Sequence, residues 1–254
     1  MIRMITEFDL KNICINVARN LVNLPNEKEG ITNFPNLQSK LIFPQYEREE
    51  KNEIRISEQE SRILFCNELE NYYKEIFYSI ETPTVKNYRF GKELKYIKID
   101  KTGQSALYDM SLFELENKTF TQKINIEFKA HNVELSHIAK DILKLFAEEQ
   151  SGLFFHTLKA IDSGTLNNNG NTGVLDKYKK SIDKFHSEWK PTGKGLEKYI
   201  VFAICIIEQK VLLTKTLKKS DLGEINDFFK IDYQATREKI NITNNNNWIK
   251  EDLK

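Results

Sequence analysis

Two neighbouring runs of the sequence, 105–116 and 119–132, constrain the fold more than any other feature. Together they read SALYDMSLFELENKTFTQKINIEFKAHN, and apolar residues alternate with polar ones on both sides of a short polar turn. In an antiparallel hairpin centred on Lys118, the opposed residues form apolar pairs: Tyr108–Phe128, Met110–Ile126 and Leu112–Ile124. A shift of one residue would destroy this match, so the sequence specifies the register of the hairpin.

The same register brings charged groups together on the other face of the hairpin. Asp109 is expected directly opposite Glu127, with Lys129 next along that face. Opposed residues have Cβ atoms roughly 4.5 to 5.5 Å apart, and two carboxylates at that distance repel each other. A divalent cation would remove the repulsion, and Mg²⁺ needs only one or two carboxylates besides water and phosphate oxygens. The alternative is a solvent-exposed sheet face on which charges alternate.

Composition describes a folded globular chain that does not enter a membrane. Of its 254 residues, 40% are hydrophobic and 30% are charged. No apolar run approaches the ~20 residues that span a bilayer, and no secretory signal precedes the first helix, so we expect a cytoplasmic protein. The three cysteines, Cys14, Cys66 and Cys205, are far apart and include no C-x-x-C pair. Neither a zinc site nor a disulfide framework is therefore indicated.

The order of elements predicts an α/β fold, in which a mixed central sheet is flanked by helices. Residues 1–56 are expected to form an N-terminal helix and an irregular connector. Residues 57–240 are expected to form the α/β domain, and residues 241–254 a loose C-terminal tail. A meander of strands that gives way to crossover helices implies a sheet covered on both faces.

A helix directly precedes these strands in the sequence. Its start is a capping box, SEQE, in which the side chains of Ser57 and Glu60 reach each other's backbone amides. Apolar residues at helical spacing predict that the helix continues to about Ile80. Glu68 and Glu70 flank its apolar face on opposite sides, and each could equally be a solvated helix acid.

A helix with acids, a strand with Asp109 and a following strand with IEFKA resemble the PD-(D/E)xK nucleases, a superfamily of restriction-endonuclease-like phosphodiesterases. The resemblance covers residues 57–161 and departs at Tyr108, where the name-giving pattern has proline. It implies a restriction-endonuclease-like core with an N-terminal helical extension.

The resemblance also implies a catalytic site. Asp109, Glu127, the carbonyl group of Phe128 and a glutamate of the preceding helix would hold Mg²⁺, for which Mn²⁺ could substitute. Glu70 is the favoured helix glutamate, with Glu68 as the alternative. Lys129 would activate the attacking water or stabilise developing negative charge.

The function that this resemblance implies is a magnesium-dependent endonuclease that hydrolyses phosphodiester bonds in DNA, as in restriction or phage defence. A homodimer would suit an enzyme that cuts both strands, and a partner protein could instead deliver the substrate. Two alternatives remain open: a non-catalytic binding or scaffold subunit with a nuclease-like fold, and an RNA-cleaving enzyme on the same fold.

A lysine-rich segment is the candidate contact for nucleic-acid phosphates. Residues 171–220 contain 11 lysines and 5 acids, although the whole chain has a net charge of only +1. The candidate contacts are Lys177, Lys179, Lys180, Lys184, Lys190 and Lys194. The alternative is a solvated helix face, which is the usual role of such lysines.

Overall fold

The structure of the chain is a computed structural model that describes residues 5–27, 39–48, 51–91, 97–185, 193–236 and 238–253. Its α-helices are α1 (Glu7–Val22), α2 (Glu58–Tyr72), α3 (Leu135–Ala147) and α4 (Val174–Phe185). Its strands are β1 (Gln45–Arg48), β2 (Lys51–Ile54), β3 (Ile76–Phe90), β4 (Ile97–Ile99), β5 (Gln104–Glu116), β6 (Thr119–Ala130), β7 (Ser151–Leu158), β8 (Tyr199–Ile206), β9 (Val211–Lys218), β10 (Asp232–Ala235), β11 (Ile240–Asn244) and β12 (Ile249–Asp252).

The centre of the fold is an eight-stranded mixed sheet, in the order β12-β9-β8-β7-β6-β5-β3-β4. The β6–β7 and β7–β8 pairs are parallel, and the other pairs are antiparallel. One apolar cluster joins α1 and α2 to the sheet, and another joins α3 and α4 to it. The predicted α/β fold with helices flanking a mixed sheet is therefore confirmed.

The predicted hairpin is formed by β5 and β6. Its register includes Met110–Ile126, Ser111–Asn125 and Leu112–Ile124, as expected. The turn residues Asn117 and Lys118 have φ angles of 48° and 68°, which is the left-handed backbone of a two-residue hairpin turn. A register shift after Leu112 reconciles this turn with the pairs further along the strands.

One predicted pair of the hairpin, Tyr108–Phe128, is wrong. The pairing of β5 with β6 ends at Met110–Ile126, and Asp109 Oδ2 accepts a hydrogen bond from the Phe128 backbone N–H at 2.8 Å. Tyr108 packs in the cluster that contains α3, whereas Phe128 packs in the cluster that contains α2. The Asp109 carboxylate, rather than a backbone carbonyl of β5, accepts the hydrogen bond from Phe128, so the regular pairing of β5 with β6 ends here.

Helix α2 begins as predicted but ends earlier. Ser57 and Glu60 form the capping box, since Glu60 accepts from the Ser57 backbone N–H at 2.8 Å. The helix ends at Tyr72 rather than near Ile80, and residues 76–80 belong to β3, which pairs with β5. Apolar residues four apart also suit a strand, and the long-range pairing decides between the two. Pro83 lies in β3 where the pairing shifts, a place where a strand tolerates proline.

The two ends of the chain contain more regular structure than the sequence predicted. The connector includes the β1–β2 hairpin. The tail is not loose, because β12 pairs with β9 in the main sheet and β11 pairs with β10. Trp248 and Leu253 are each only 1% exposed, so burial of these two side chains holds the last strand in place. Within the described ranges, no helix has both the length and the apolar character to cross a membrane.

Candidate active site

Asp109 and Glu127 lie beside each other at the point where β5 and β6 separate. Asp109 is half-buried and binds the backbone of Phe128, the neighbour of Glu127. Glu127 is only 2% exposed, and the charge of Asp109 contributes to raising its pKa. The structure therefore brings three predicted site residues together, although Asp109 and Glu127 are not a register pair.

An unpredicted lysine of α3, Lys144, contacts the Glu127 carboxylate. Its ammonium group forms an ion pair with Glu127, lies 3.3 Å from Asp141 Oδ1 and donates to the Leu107 carbonyl at 2.7 Å. Lys144 is 1% exposed, and its ammonium group lies 5.4 Å from the centroid of the Tyr108 ring. The Tyr108 hydroxyl also donates to the Lys144 carbonyl at 2.8 Å, which fixes this turn of α3 against β5.

Lys129 continues the same chain of ion pairs. Its ammonium group lies 2.7 Å from Asp141 Oδ2 and 3.1 Å from Glu58 Oε1. Glu58 is the first residue of α2, so both helices reach the end of β6 from opposite faces of the sheet. We call the following residues the charged cluster: Glu58, Asp109, Glu127, Lys129, Asp141 and Lys144.

Negative charge exceeds positive charge in the charged cluster. Four carboxylates face two ammonium groups, a formal net charge of −2. Burial raises the pKa of Glu127 well above its ordinary value, Lys144 opposes this rise, and Asp141 and Asp109 add to it. Burial would also raise the pKa of Asp141, but Lys144 and Lys129 bring it below its ordinary value. Glu127 is therefore the carboxylate of the charged cluster whose neutral form the surroundings favour most, and Lys144 is the cation that opposes this.

The two lysines are held in their charged form. Burial alone would lower the pKa of Lys129, but Asp141 and Glu58 raise it above its ordinary value. Burial likewise acts to lower the pKa of Lys144, and Glu127 and Asp141 outweigh it. Each ammonium group remains a hydrogen-bond donor at neutral pH.

Local sequence explains why these side chains converge. Glu127 and Lys129 are two residues apart on β6, so they share one face of the sheet. Asp141 and Lys144 are three residues apart on α3, so they share one side of that helix. Neither helix residue was predicted, yet the sequence contains a signal, because the run IAKDILKLFA places Asp141 and Lys144 among apolar residues.

The two predicted helix glutamates lie away from the charged cluster. Glu70 is exposed and accepts a hydrogen bond from the Tyr78 hydroxyl at 2.9 Å. Glu68 is buried and accepts from Asn16 Nδ2 at 2.6 Å, so it faces α1. The prediction that Glu70 completes the site with Asp109 is therefore not met. The acid of α2 that reaches the site is Glu58, about three helical turns earlier.

The lysine-rich segment only partly lies in the described structure. Lys177, Lys179 and Lys180 are on α4, and the Lys177 ammonium group donates to the carbonyl of Val133, just after β6. The backbones of Lys184 and Lys194 are described but their side chains are not, and Lys190 lies outside the described residues. Lys177 is thus a predicted phosphate contact that the structure places against the residues just after β6.

The predicted metal ligands fit Mg²⁺ in part. Asp109 and Glu127 supply hard oxygen atoms, and the formal surplus of two negative charges equals the charge of one such ion. No group of three or more His, Cys, Asp or Glu side chains suited to a metal ion occurs among the described residues. The Lys144 ammonium group also occupies the Glu127 carboxylate. Ligation through Oε1 of Glu127 therefore requires Lys144 to move.

Comparisons of the chain with models of protein families, with curated proteins and with solved structures found no match.

Proposed function

We propose that the chain is a divalent-metal-dependent nuclease that hydrolyses phosphodiester bonds in DNA. The observation that carries the proposal is the charged cluster, in which four carboxylates from two adjacent strands and two helices converge around two ammonium groups. Buried surplus charge is costly unless a cation compensates it. A restriction-endonuclease-like core, a cytoplasmic location and a role in restriction or phage defence belong to the same proposal.

In this proposal, Asp109, Glu127 and the backbone carbonyl of Phe128 would hold Mg²⁺. The ion would supply Lewis-acid chemistry and a more acidic water. Lys129 is oriented by Asp141 and can donate a hydrogen bond to a phosphate oxygen of the substrate. Lys144 neutralises Glu127 in the metal-free protein, and Asp141 is its other carboxylate partner.

The first experiment is a cleavage assay with Mg²⁺ or Mn²⁺ on plasmid, single-stranded DNA and RNA. Glu127→Gln and Lys129→Met keep the side-chain size while removing a charge, and we expect each to lower cleavage by 100-fold or more. Matched controls are Glu116→Gln, at a half-buried residue of the same hairpin, and Lys101→Met, at an exposed residue; both lie outside the charged cluster and should cleave like wild type. Thermal unfolding by circular dichroism identifies any variant that is merely misfolded. Cleavage that persists in folded Glu127→Gln and Lys129→Met would contradict the proposal.

A second candidate function is favoured by one observation, the ion pair between Lys144 and Glu127. A lysine that permanently occupies the carboxylate would leave a nuclease-like fold that binds nucleic acid without cutting it. In the assay above, this candidate predicts no cleavage by wild type with either metal, together with binding of the oligonucleotides. Preferential cleavage of RNA would instead support the RNA-cleaving alternative.

A further inference from the structure

A cleft of about 790 Å³ borders the charged cluster at the carboxyl end of β6. It lies between the β1–β2 region, the first turn of α2 and the residues that follow β6. Tyr46, Arg55, Glu58 and His131 are among the residues that line it. Glu58 belongs both to this cleft and to the charged cluster, where it contacts Lys129 at 3.1 Å. A molecule in the cleft would therefore reach the edge of the candidate active site.

His131 is held rigidly in an unfavourable backbone conformation. Its φ angle is 65°, in the left-handed region that residues other than glycine rarely adopt. Its backbone N–H donates to Thr157 at 2.9 Å, and its carbonyl accepts from the Val133 backbone N–H at 3.0 Å and from His156 Nε2 at 2.6 Å. Its ring Nε2 lies 2.8 Å from the Ile56 carbonyl. Backbone strain that is so fully supported is characteristic of functional sites.

The hydrogen-bond partners also determine which ring nitrogen of His156 carries the proton. Burial lowers the pKa of His156 to about 3, so its ring is neutral at physiological pH. The His131 carbonyl can only accept, so His156 Nε2 must donate to it, and Nδ1 accepts from the Tyr178 hydroxyl at 2.7 Å. The hydrogen bonds from Tyr178 to His156 and from His156 to the His131 carbonyl thus hold the backbone of His131 in place.

One ring nitrogen of His131 is available to a ligand, because its other nitrogen is the one that contacts the protein. The Ile56 carbonyl can only accept, so His131 Nε2 is the donor in that contact. His131 is exposed and lines the cleft, and its Nδ1 makes no hydrogen bond within the described residues. This nitrogen is therefore free to bind a polar group in the cleft.

Two further side chains suit a nucleotide. Tyr46 is 43% exposed, and Arg55 is exposed and forms no ion pair with any described residue. The acids of the cleft do not compete for Arg55, because Glu58 contacts Lys129 and Glu60 accepts from Ser57. An aromatic ring that stacks on a base, beside a guanidinium group that binds phosphate, is the usual combination in proteins that bind single strands.

We propose that this cleft binds one unpaired nucleotide, with its base against Tyr46, its phosphate at Arg55 and a polar edge at His131. Its volume lies within the roughly 300–1,000 Å³ of sites that enclose a small molecule. It therefore suits a single nucleotide rather than a paired duplex. Resting on the proposed function, this inference names the substrate class as single-stranded nucleic acid or a single-stranded end.

The test measures binding without cleavage. Fluorescence anisotropy of a labelled 12-nucleotide single strand, with the matching duplex as competitor, is recorded in EDTA with the full chain. The variants are Tyr46→Ala, Arg55→Ala and His131→Asn, because asparagine tolerates a left-handed backbone and only the ring is lost. The controls are Tyr72→Ala and Arg19→Ala, exposed residues of the same types outside the cleft.

We expect wild type to prefer the single strand and Tyr46→Ala to weaken binding at least fivefold, the lower limit for loss of one base–aromatic stack. Arg55→Ala should weaken binding and reduce its salt dependence, and both controls should bind like wild type. Equal binding by Tyr46→Ala, Arg55→Ala and wild type, or a preference of wild type for duplex, would overturn the inference. Either of these results leaves the proposed hydrolysis intact if Glu127→Gln still abolishes cleavage. Conversely, cleft-dependent binding without cleavage supports the inference and contradicts the proposed hydrolysis.

Discussion

Replacing Lys144 with methionine should destabilise the fold strongly at pH 7. The ammonium group contacts Glu127, lies 3.3 Å from Asp141 and is 1% exposed. Methionine retains most of the apolar stem but leaves a buried carboxylate at Glu127 without its cation. Removing one partner of a buried ion pair typically costs ~3–5 kcal/mol. That is a large fraction of the ~5–15 kcal/mol by which most domains are stable.

Urea unfolding followed by far-UV circular dichroism measures this loss in free energy of unfolding. Lys140→Met is the matched control, since Lys140 is on the same helix but only partly buried, and it should cost less than ~1 kcal/mol. The double variant Glu127→Gln/Lys144→Met removes the unpaired charge as well, and should recover most of the loss. A Lys144→Met variant within ~1 kcal/mol of wild type would show that Lys144 does not compensate a buried charge on Glu127.

The same variant should show a characteristic dependence on pH. Burial already holds the pKa of Glu127 above its ordinary value of 4.5, and loss of Lys144 raises it further. The folded variant then binds a proton more tightly than the unfolded chain does, so its stability falls as pH rises above about 4.5. The deficit relative to wild type should therefore be smaller at pH 5 than at pH 7. A deficit that grows on acidification would contradict this assignment.

The remaining predictions concern the rest of the fold. Trp248→Ala should cost ~3–5 kcal/mol of unfolding free energy in urea, because a buried aromatic side chain anchors β12; a loss below ~1 kcal/mol would show that this strand contributes little. Burial lowers the pKa of Lys219 to about 7, so the unfolded chain binds more protons than the folded protein above pH 7. The free energy of unfolding should therefore rise with pH in this range, and Lys219→Met should remove up to ~2 kcal/mol of the rise between pH 7 and 9. Nitrogen-15 spectra should show the His156 ring neutral and protonated at Nε2 from pH 5 to 8, and a titration near pH 6.5 would contradict the Tyr178–His156–His131 arrangement.

The sequence predicted the part of the fold where local patterns are strong. Alternation and apolar pairing determined the β5–β6 register near Met110 and Leu112, and the SEQE motif determined the start of α2. Local sequence patterns did not determine the secondary structure of segments whose conformation depends on pairing with a distant strand. Residues 76–80 suit either a helix or a strand, and only the pairing with β5 makes them a strand. The asparagine-rich tail contains the buried Trp248 and the strand β12, which forms by pairing with β9.

The candidate site was predictable on the strands and not on the helices. The spacing of Glu127 and Lys129 on one strand places both on one face, whatever the rest of the chain does. Which helix residue meets them depends on how α2 and α3 pack. Lys144 and Glu58 reach the site because α3 covers one face and the first turn of α2 reaches the end of β6. No property of a helix sequence alone distinguishes Glu58 from Glu68 or Glu70 in this respect.

The proposed metal site can be tested by locating Mn²⁺ with anomalous diffraction in crystals of the protein soaked with that ion. We expect a peak beside the carboxylates of Asp109 and Glu127, with the Lys144 ammonium group moved from Glu127 towards Asp141. If Lys144 still contacts Glu127 at saturating Mn²⁺ and no peak appears at these carboxylates, the proposed metal site is contradicted.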